Sequence, residues 1–312
     1  MLSLVVPVYS NEGSLPDLLK AVAQLASDID APFETVFVVD GSPDRCYELL
    51  AAQLPSCAFS SQLVLLSRNF GSFAAIRAGM EAARGETFAV MAADLQEPPE
   101  LVRTMCRLLD SGDVDVVIGV RNARHDPLVS RLFSGLFWRL YRRYVVPDVP
   151  PGGVDVFACN KAFRDELLKL EERHSSLIAQ VFWLGYRRSF VEYERRVRQH
   201  GKSAWTFQKK LSYMMDSVFA FTDLPIRILI RGGGAVAALS GVFAVVVVLS
   251  RLAGLITVQG YAVTILAIVF FGALNLFGLG LVGSYAWRAY ENTKARPLHV
   301  VLRRHIWKAE GP

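Results

Sequence analysis

Apolar residues fall along this chain in short runs, in helical spacing, and in two long uncharged stretches. Leu2 to Val6 is a continuous apolar run ended by Pro7, which predicts a central strand. From about Ser14 the positions Leu15, Leu18, Leu19, Val22 and Leu25 share one helix face. Phe33 to Val39 is a second buried strand, so strand, helix and strand follow within the first segment and predict a parallel sheet. Further strands are expected at Gln62 to Leu66, Phe88 to Val90 and Val114 to Val120. Helices are expected at Ser72 to Arg84, from Glu100 onward, at Ala162 to Leu170 and at Trp205 to Phe221, while Val191 to Arg198 alternates. Leu128 to Val146 carries Val129, Leu132, Phe133, Leu136, Phe137, Leu140, Tyr141 and Tyr144 on one stripe, with Arg131, Arg139, Arg142 and Arg143 off it. No acid interrupts that segment, a pattern that suits a membrane interface; a core helix with a solvated basic face shares it.

No charged residue occurs from Gly232 to Ser250 or from Leu252 to Trp287. As helices these stretches reach about 28 Å or more, the thickness of a bilayer core. A buried hairpin of a soluble protein is the other reading; the length, glycines and aromatics favour lipid. Lys202, Lys209, Lys210, Arg227 and Arg231 precede the first run, and Arg288, Lys294, Arg296, Arg303, Arg304 and Lys308 follow the second. The positive-inside rule then places both ends in the cytoplasm, giving a multi-pass protein of the inner (plasma) membrane with a cytoplasmic N-terminal part. Gly278, Gly280 and Gly283 permit close helix packing, within one chain or in a homo-oligomer.

These runs account for the high hydrophobic content, 52%, and the mean hydropathy of +0.31 over 312 residues. A net charge of +5 would suit nucleic acid, but the basic residues cluster beside the apolar runs, so an anionic membrane is the expected partner and nucleic acid is not. The start of the chain has no basic segment before Pro7 and predicts no signal peptide. Cys46, Cys57, Cys106 and Cys159 have no metal-ligand spacing.

Candidate chemistry centres on Met91 to Glu100. Asp94 and Gln96 follow a strand in a loop closed by Pro98 and Pro99, where α/β sheets bind ligands. Two such oxygens can serve one hard cation; Asp94 could equally cap the next helix. Asp40-Gly41-Ser42 follows the second strand, where a carboxylate can accept from a base or ribose or simply make a turn. Arg121 and Arg124 follow another strand and suit phosphate. Asp155, after Gly152 and Gly153, is a candidate site or a helix cap. Arg198, Lys202 and Ser203 flank Gly201 and suit a lid over a diphosphate.

Ala-Asp-Leu-Gln-Glu-Pro-Pro-Glu (93–100) resembles the Asp-x-Asp-Leu-Gln-x-Pro-Pro-Glu segment of the inverting family-two glycosyltransferases, in particular the polyprenyl-phosphate glycosyltransferases. The Val-Val-Pro-Val-Tyr-Ser-Asn-Glu opening, Asp40-Gly41-Ser42, Arg121 to Asp126, Gly153 to Phe157 and Arg198 to Trp205 resemble other segments of that family. The likeness runs to Lys294-Ala295-Arg296-Pro297. Ala92 and Val39 stand where the family has the first acid of two motifs, and Ala204 replaces its usual Lys.

The resemblance implies a GT-A-like, doubly wound, mainly parallel α/β sheet with interfacial helices and a C-terminal two-helix transmembrane hairpin. The implied domains are a nucleotide-sugar core at 1–127, an acceptor-side part at 128–227, the spans at 228–290 and a tail at 291–312. It implies transfer, with inversion, of a sugar from a nucleotide-diphosphate sugar, expected as UDP-linked, to a polyprenyl phosphate, expected as undecaprenyl phosphate. Pro7, Tyr9, Glu12, Asp40, Asp94, Arg121, Arg198 and Ser203 would contact the donor. Arg124, Asp155 and Lys202 would serve the acceptor phosphate, with Asp155 and Asp94 catalytic. Mg2+ or Mn2+ would sit on Asp94 and Gln96. A membrane-anchored binding or scaffold protein with a decayed site is the alternative that Ala92 and Val39 support.

Overall fold

The computed structural model describes residues 1–121, 142–143, 148–150, 154–172, 175–196, 207–254 and 260–309. The chain divides into two compact units: Met1–Tyr213 with Pro297–Pro312, and Met214–Arg296.

The first unit is built on an eight-stranded sheet of β1 (Leu2–Val8), β2 (Phe33–Val39), β3 (Ser60–Leu66), β4 (Thr87–Val90), β5 (Val116–Arg121), β6 (Val154–Asn160), β7 (Arg188–Tyr193) and β8 (Val301–Trp307). Their order is β7-β5-β6-β4-β1-β2-β3-β8. The four consecutive strands β4, β1, β2 and β3 are parallel, as is β7 to β5; β6 and β8 run against their neighbours. The expected doubly wound, mainly parallel sheet is thus present. Its helices are α1 (Leu15–Ser27), α2 (Cys46–Gln53), α3 (Ser72–Ala82), α4 (Pro99–Asp110), α5 (Lys161–Lys169) and α6 (Leu177–Trp183).

Pro7 does not end β1 as its sequence position suggests; the strand continues to Val8. The Val5 carbonyl accepts from Met91 on the β4 side and the Val8 carbonyl from Asp40 on the β2 side. By alternation Pro7 faces the β4 side, where the β1–β4 ladder has stopped at Val5 and Val90. Its missing N–H therefore costs no bond. Leu15, Leu18, Val22 and Leu25 of α1 are buried as the helical spacing predicts. On the sheet's other face α3 packs so closely that a Cβ on Gly79 would meet Val5 Cγ1 at 2.3 Å.

Three elements depart from the sequence expectation. The segment holding Asp155 is strand β6, not a loop before a helix. The alternation expected over Val191 to Arg198 begins earlier, as β7. Residues 301–307, expected as tail, pair with β3 as the edge strand β8. The expected amphipathic helix at 128–146 falls almost wholly outside the described residues.

In the second unit, the last residues of α7 (Phe207–Phe221) are followed by α8 (Leu224–Leu252) and α9 (Tyr261–Thr293). Within these, Leu224–Phe243 and Phe270–Thr293 are long and apolar enough to cross a membrane. Leu239, Leu276 and Phe277 are about 70% exposed in the isolated chain, a surface suited to lipid rather than water.

Candidate functional site

The described site residues lie at the carboxyl edge of the sheet: most in the loops that follow the parallel strands, Pro7 and Arg121 near the ends of β1 and β5, and Asp155 near the start of the antiparallel strand β6. Ligands bind α/β sheets at this edge.

The loops after β1 and β2 are stitched together. Ser10 N–H donates to Ser42 Oγ at 2.8 Å, and Glu12 N–H to Asp44 Oδ2 at 3.0 Å. Arg45 grips the Glu12 carboxylate through its own N–H, Nε and Nη2, the last at 2.6 Å. The Arg45 hydrogen bonds hold the Glu12 carboxyl below its usual range. Glu12 therefore shapes the rim of the site, and its carboxylate is already engaged. Asp40 is 2% exposed and accepts from the N–H groups of Phe70 and Gly71 at 2.7 and 2.8 Å. Burial pushes its carboxyl up, and these two bonds offset only part of that. Gly41 has φ +54°, and a Cβ there would meet the Arg68 backbone at 2.3 Å. Asp40 and Gly41 thus clamp the loop after β3, which carries Arg68 stacked on Phe70 at 4.0 Å. Tyr9, at 38% exposure, is the open face of this corner.

Past β4 the chain turns through Leu95 at φ +53°. The Asp94 carboxylate accepts from Gln96 N–H at 3.3 Å, which shapes the turn. The N-cap of α4 is Pro98 and has no side-chain cap bond, so Asp94 is not a helix cap. Gln96 is held on three sides. Its carbonyl accepts from Arg196 N–H at 2.8 Å, its amide Nε2 donates to the Arg196 carbonyl at 3.3 Å, and its Oε1 accepts from Arg195. Arg196 in turn pairs with Glu100 at 3.4 Å. The turn that bears Asp94 is therefore docked on the segment leaving β7. Sequence reasoning did not single out Arg195 and Arg196, since a pair of exposed arginines carries no signal without its partner.

Asp155 has a distinctive backbone position. Gly119 pairs with Val156 and Val120 with Val154, so Asp155 is an extra residue in the β5–β6 ladder. Such bulges recur beside active sites, where they re-aim a side chain. The cap of α5 is Asn160, whose side chain accepts from Phe163 N–H at 2.9 Å. Capping is therefore excluded for Asp155 as well. Because Ala89 pairs with Ala158 and the strands are antiparallel, the start of β6 lies beside the end of β4. Asp155 and the Asp94 turn thus share one edge. Arg121 ends β5 at the same edge, paired in register with Tyr193. Arg124, Arg198, Lys202 and Ser203 lie outside the described residues.

Among the described residues no three His, Cys, Asp or Glu side chains converge as a metal site. A hard cation that keeps its waters and takes phosphate oxygens from a substrate needs only one or two carboxylates. The residues present fit that arrangement with Asp94 as the protein carboxylate. Gln96 Oε1 accepts from Arg195 and keeps a second lone pair for such a cation.

The sequence profile described as Glycosyl transferase family 2 matches residues 3–170. A glycosyltransferase of Synechocystis sp. is 31% identical, over 99% of this chain and 96% of its own length. The undecaprenyl-phosphate 4-deoxy-4-formamido-L-arabinose transferase of Pseudomonas paraeruginosa is 34% identical, over 97% of this chain and 90% of its own. Among solved structures, mannosyl-3-phosphoglycerate synthase from Rubrobacter xylanophilus aligns with a TM-score of 0.48 and 14% identity, over 74% of this chain and 75% of that one. With a profile match over more than half its length and relatives above 30% identity along nearly all of it, the chain belongs to glycosyl transferase family 2.

Proposed function

We propose that this enzyme transfers a sugar from a nucleotide-diphosphate sugar to a polyprenyl phosphate at the cytoplasmic face of a membrane. One observation carries the reading. Two aspartates that could have been helix caps are not caps, and both stand at the carboxyl edge, one in a turn after β4 and one on a bulge of the adjoining strand. The relatives named as undecaprenyl-phosphate sugar transferases support the acceptor class.

The donor lies over the loops after β1 to β4, with Tyr9 and the clamped Asp40 corner toward the nucleoside and Asp94 toward the diphosphate. Asp94 with the diphosphate oxygens would hold Mg2+ or Mn2+, which supplies countercharge to the departing nucleotide. An acceptor phosphate is already an anionic nucleophile, so the residues act mainly by positioning and charge. Asp155 orients the acceptor or takes its residual proton. One oxygen of the acceptor attacks the anomeric carbon opposite the leaving diphosphate, with inversion. Arg121, Arg124, Arg198 and Lys202 contribute charge to the phosphates, and the Ser203 hydroxyl a hydrogen bond.

Membrane topology has independent support. Strand β8 is hydrogen-bonded into the catalytic sheet after α8 and α9 have been traversed, so the chain returns to the side it left. An even number of crossings does that, and two apolar spans suffice. The basic flanks favour the cytoplasmic side.

The test is a panel of labelled nucleotide sugars offered with undecaprenyl phosphate and Mg2+, read by extraction of labelled lipid. Label in the lipid phase from one donor class is expected. Transfer only to water, or to a soluble acceptor, would contradict the proposal.

A further inference from the structure

The unit Met214–Arg296 contains a polar cluster in apolar surroundings. Asp216, on α7, accepts from Arg288 Nη2 of α9 at 2.9 Å. Phe219 lies under that guanidinium at 4.8 Å and against the Tyr285 ring at 5.0 Å. Tyr285 and Arg288 are one turn apart on the same face of α9. Arg288 and Asp216 are mostly covered, with side-chain exposures of 20% and 26%.

Two polar atoms of the cluster are buried without any hydrogen-bond partner: Tyr285 Oη and Arg288 Nη1. An unmade bond of this kind costs free energy, more so where no water can reach. Phenylalanine at 285 would remove the cost while keeping the ring contact. Both orphaned groups are donors, and Asp216 leaves Arg288 the second arm of its fork. Two donors, one of them cationic, match the oxygens of a phosphate.

Depth agrees with this chemistry. The second apolar span begins at Phe270, and Arg288 lies about 27 Å further along the helix, near the far boundary of a core of about 30 Å. Trp287 and Tyr290 are exposed beside it, and Lys294 stacks on both, as in an interfacial belt. Lipid phosphates occupy this level. Both atoms are covered in the chain alone, so binding a phosphate requires the two side chains to turn outward, in the manner of snorkelling residues.

We infer that Tyr285 and Arg288 form a lipid-phosphate subsite, which takes the phosphate of a polyprenyl phosphate acceptor or of an anionic phospholipid. The inference rests on the membrane reading above, and its test is separable from it.

The full-length protein is held in dodecyl maltoside micelles, which carry no phosphate, alone, with undecaprenyl phosphate, or with phosphatidylglycerol. The thermal midpoint and the KM for undecaprenyl phosphate are measured for wild type, Y285F and R288Q. In micelles alone Y285F is expected to melt at or above the wild-type temperature, since it loses only an orphaned hydroxyl. Undecaprenyl phosphate should raise the wild-type midpoint more than that of Y285F, with an acceptor KM about fivefold higher in the variant. R288Q should show a larger rise. A difference confined to phosphatidylglycerol would assign the subsite to a phospholipid headgroup instead. Equal responses of wild type and Y285F to both lipids would overturn the inference, whether or not R288Q folds. If wild type transfers no sugar yet shows the lipid-dependent difference, the proposed reaction fails and the subsite stands.

Discussion

The two ends of the central sheet are built on opposite principles. At the amino edge the polar groups close on one another. The fully buried Glu34 accepts from Ser3 Oγ, Gln62 Nε2, and Arg84 through N–H, Nε and Nη2, at 2.6 to 3.0 Å. Gln62 then accepts from Arg304 of β8, which also donates to the Ala82 carbonyl. At the carboxyl edge, loops are fixed by bonds between their own atoms while Tyr9 and Arg68 stay exposed and the Asp94 turn half-buried. A saturated network has nothing left to offer a substrate. The two aspartates proposed for chemistry lie at the opposite edge, away from this network.

The largest effect that would sharpen this contrast is expected from Glu34→Ala. It leaves Arg84 and Gln62 without their acceptor and should cost about 3 kcal/mol of stability, while donor affinity of the folded fraction is unchanged. Denaturant titration beside calorimetry checks both. The reverse is expected at the other edge: Asp94→Ala should lower donor affinity in Mg2+ by about a hundredfold and leave the unfolding midpoint where it was. A fallen midpoint with donor affinity retained would make Asp94 a structural residue and erase the contrast.

Smaller effects test how the C-terminal strand is held. Arg304→Ala should cost about 1 to 2 kcal/mol, since Gln62 and the Ala82 carbonyl lose a charged donor. Hydrogen exchange should then quicken along β8 and leave β1 and β2 protected. Acid should act on the same edge. Burial pushes the Glu34 carboxyl up, but the bonds from Arg84, Ser3 and Gln62 together hold it below the ordinary 4.5. A carboxyl depressed in the folded state stabilises above its unfolded value, and that contribution is lost as pH falls below it. Unfolding midpoints should therefore drop below about pH 4.5 in wild type, with a shallower slope in Glu34→Gln.

Much of this molecule was legible in its sequence, and the failures have physical causes. The parallel core strands read clearly because they are buried on both faces and nearly uniformly apolar. Asp94 reads as a loop residue because the apolar run of β4 stops at Val90 and Pro98 and Pro99 start the next helix. Strand β6 was hidden because its pairing to β4 and β5 is wholly nonlocal and its bulge breaks the alternation at Asp155. Strand β8 carries Arg303, Arg304 and His305 and is largely exposed, so hydrophobic pattern gives no sign of it. Edge pairing and the bonds of Arg304 hold it instead. The alternative roles of Asp94 and Asp155 as caps could be settled only by seeing Pro98 and Asn160 in the cap positions. The resemblance makes Glu12 and Asp40 donor contacts; their engagement by Arg45 and by the Phe70–Gly71 backbone shows only in the structure.

The most direct test of the division between the two aspartates is a paired measurement on Asp94→Asn and Asp155→Asn. Donor affinity is measured by calorimetry with Mg2+, beside the rate of sugar transfer to undecaprenyl phosphate. Asp155→Asn should bind donor as wild type does and lose about a hundredfold or more in turnover, the scale of a positioned acid–base group. Asp94→Asn should lose donor affinity as well as rate. Equal loss of donor affinity in the two variants would place Asp155 in the donor site and contradict the account.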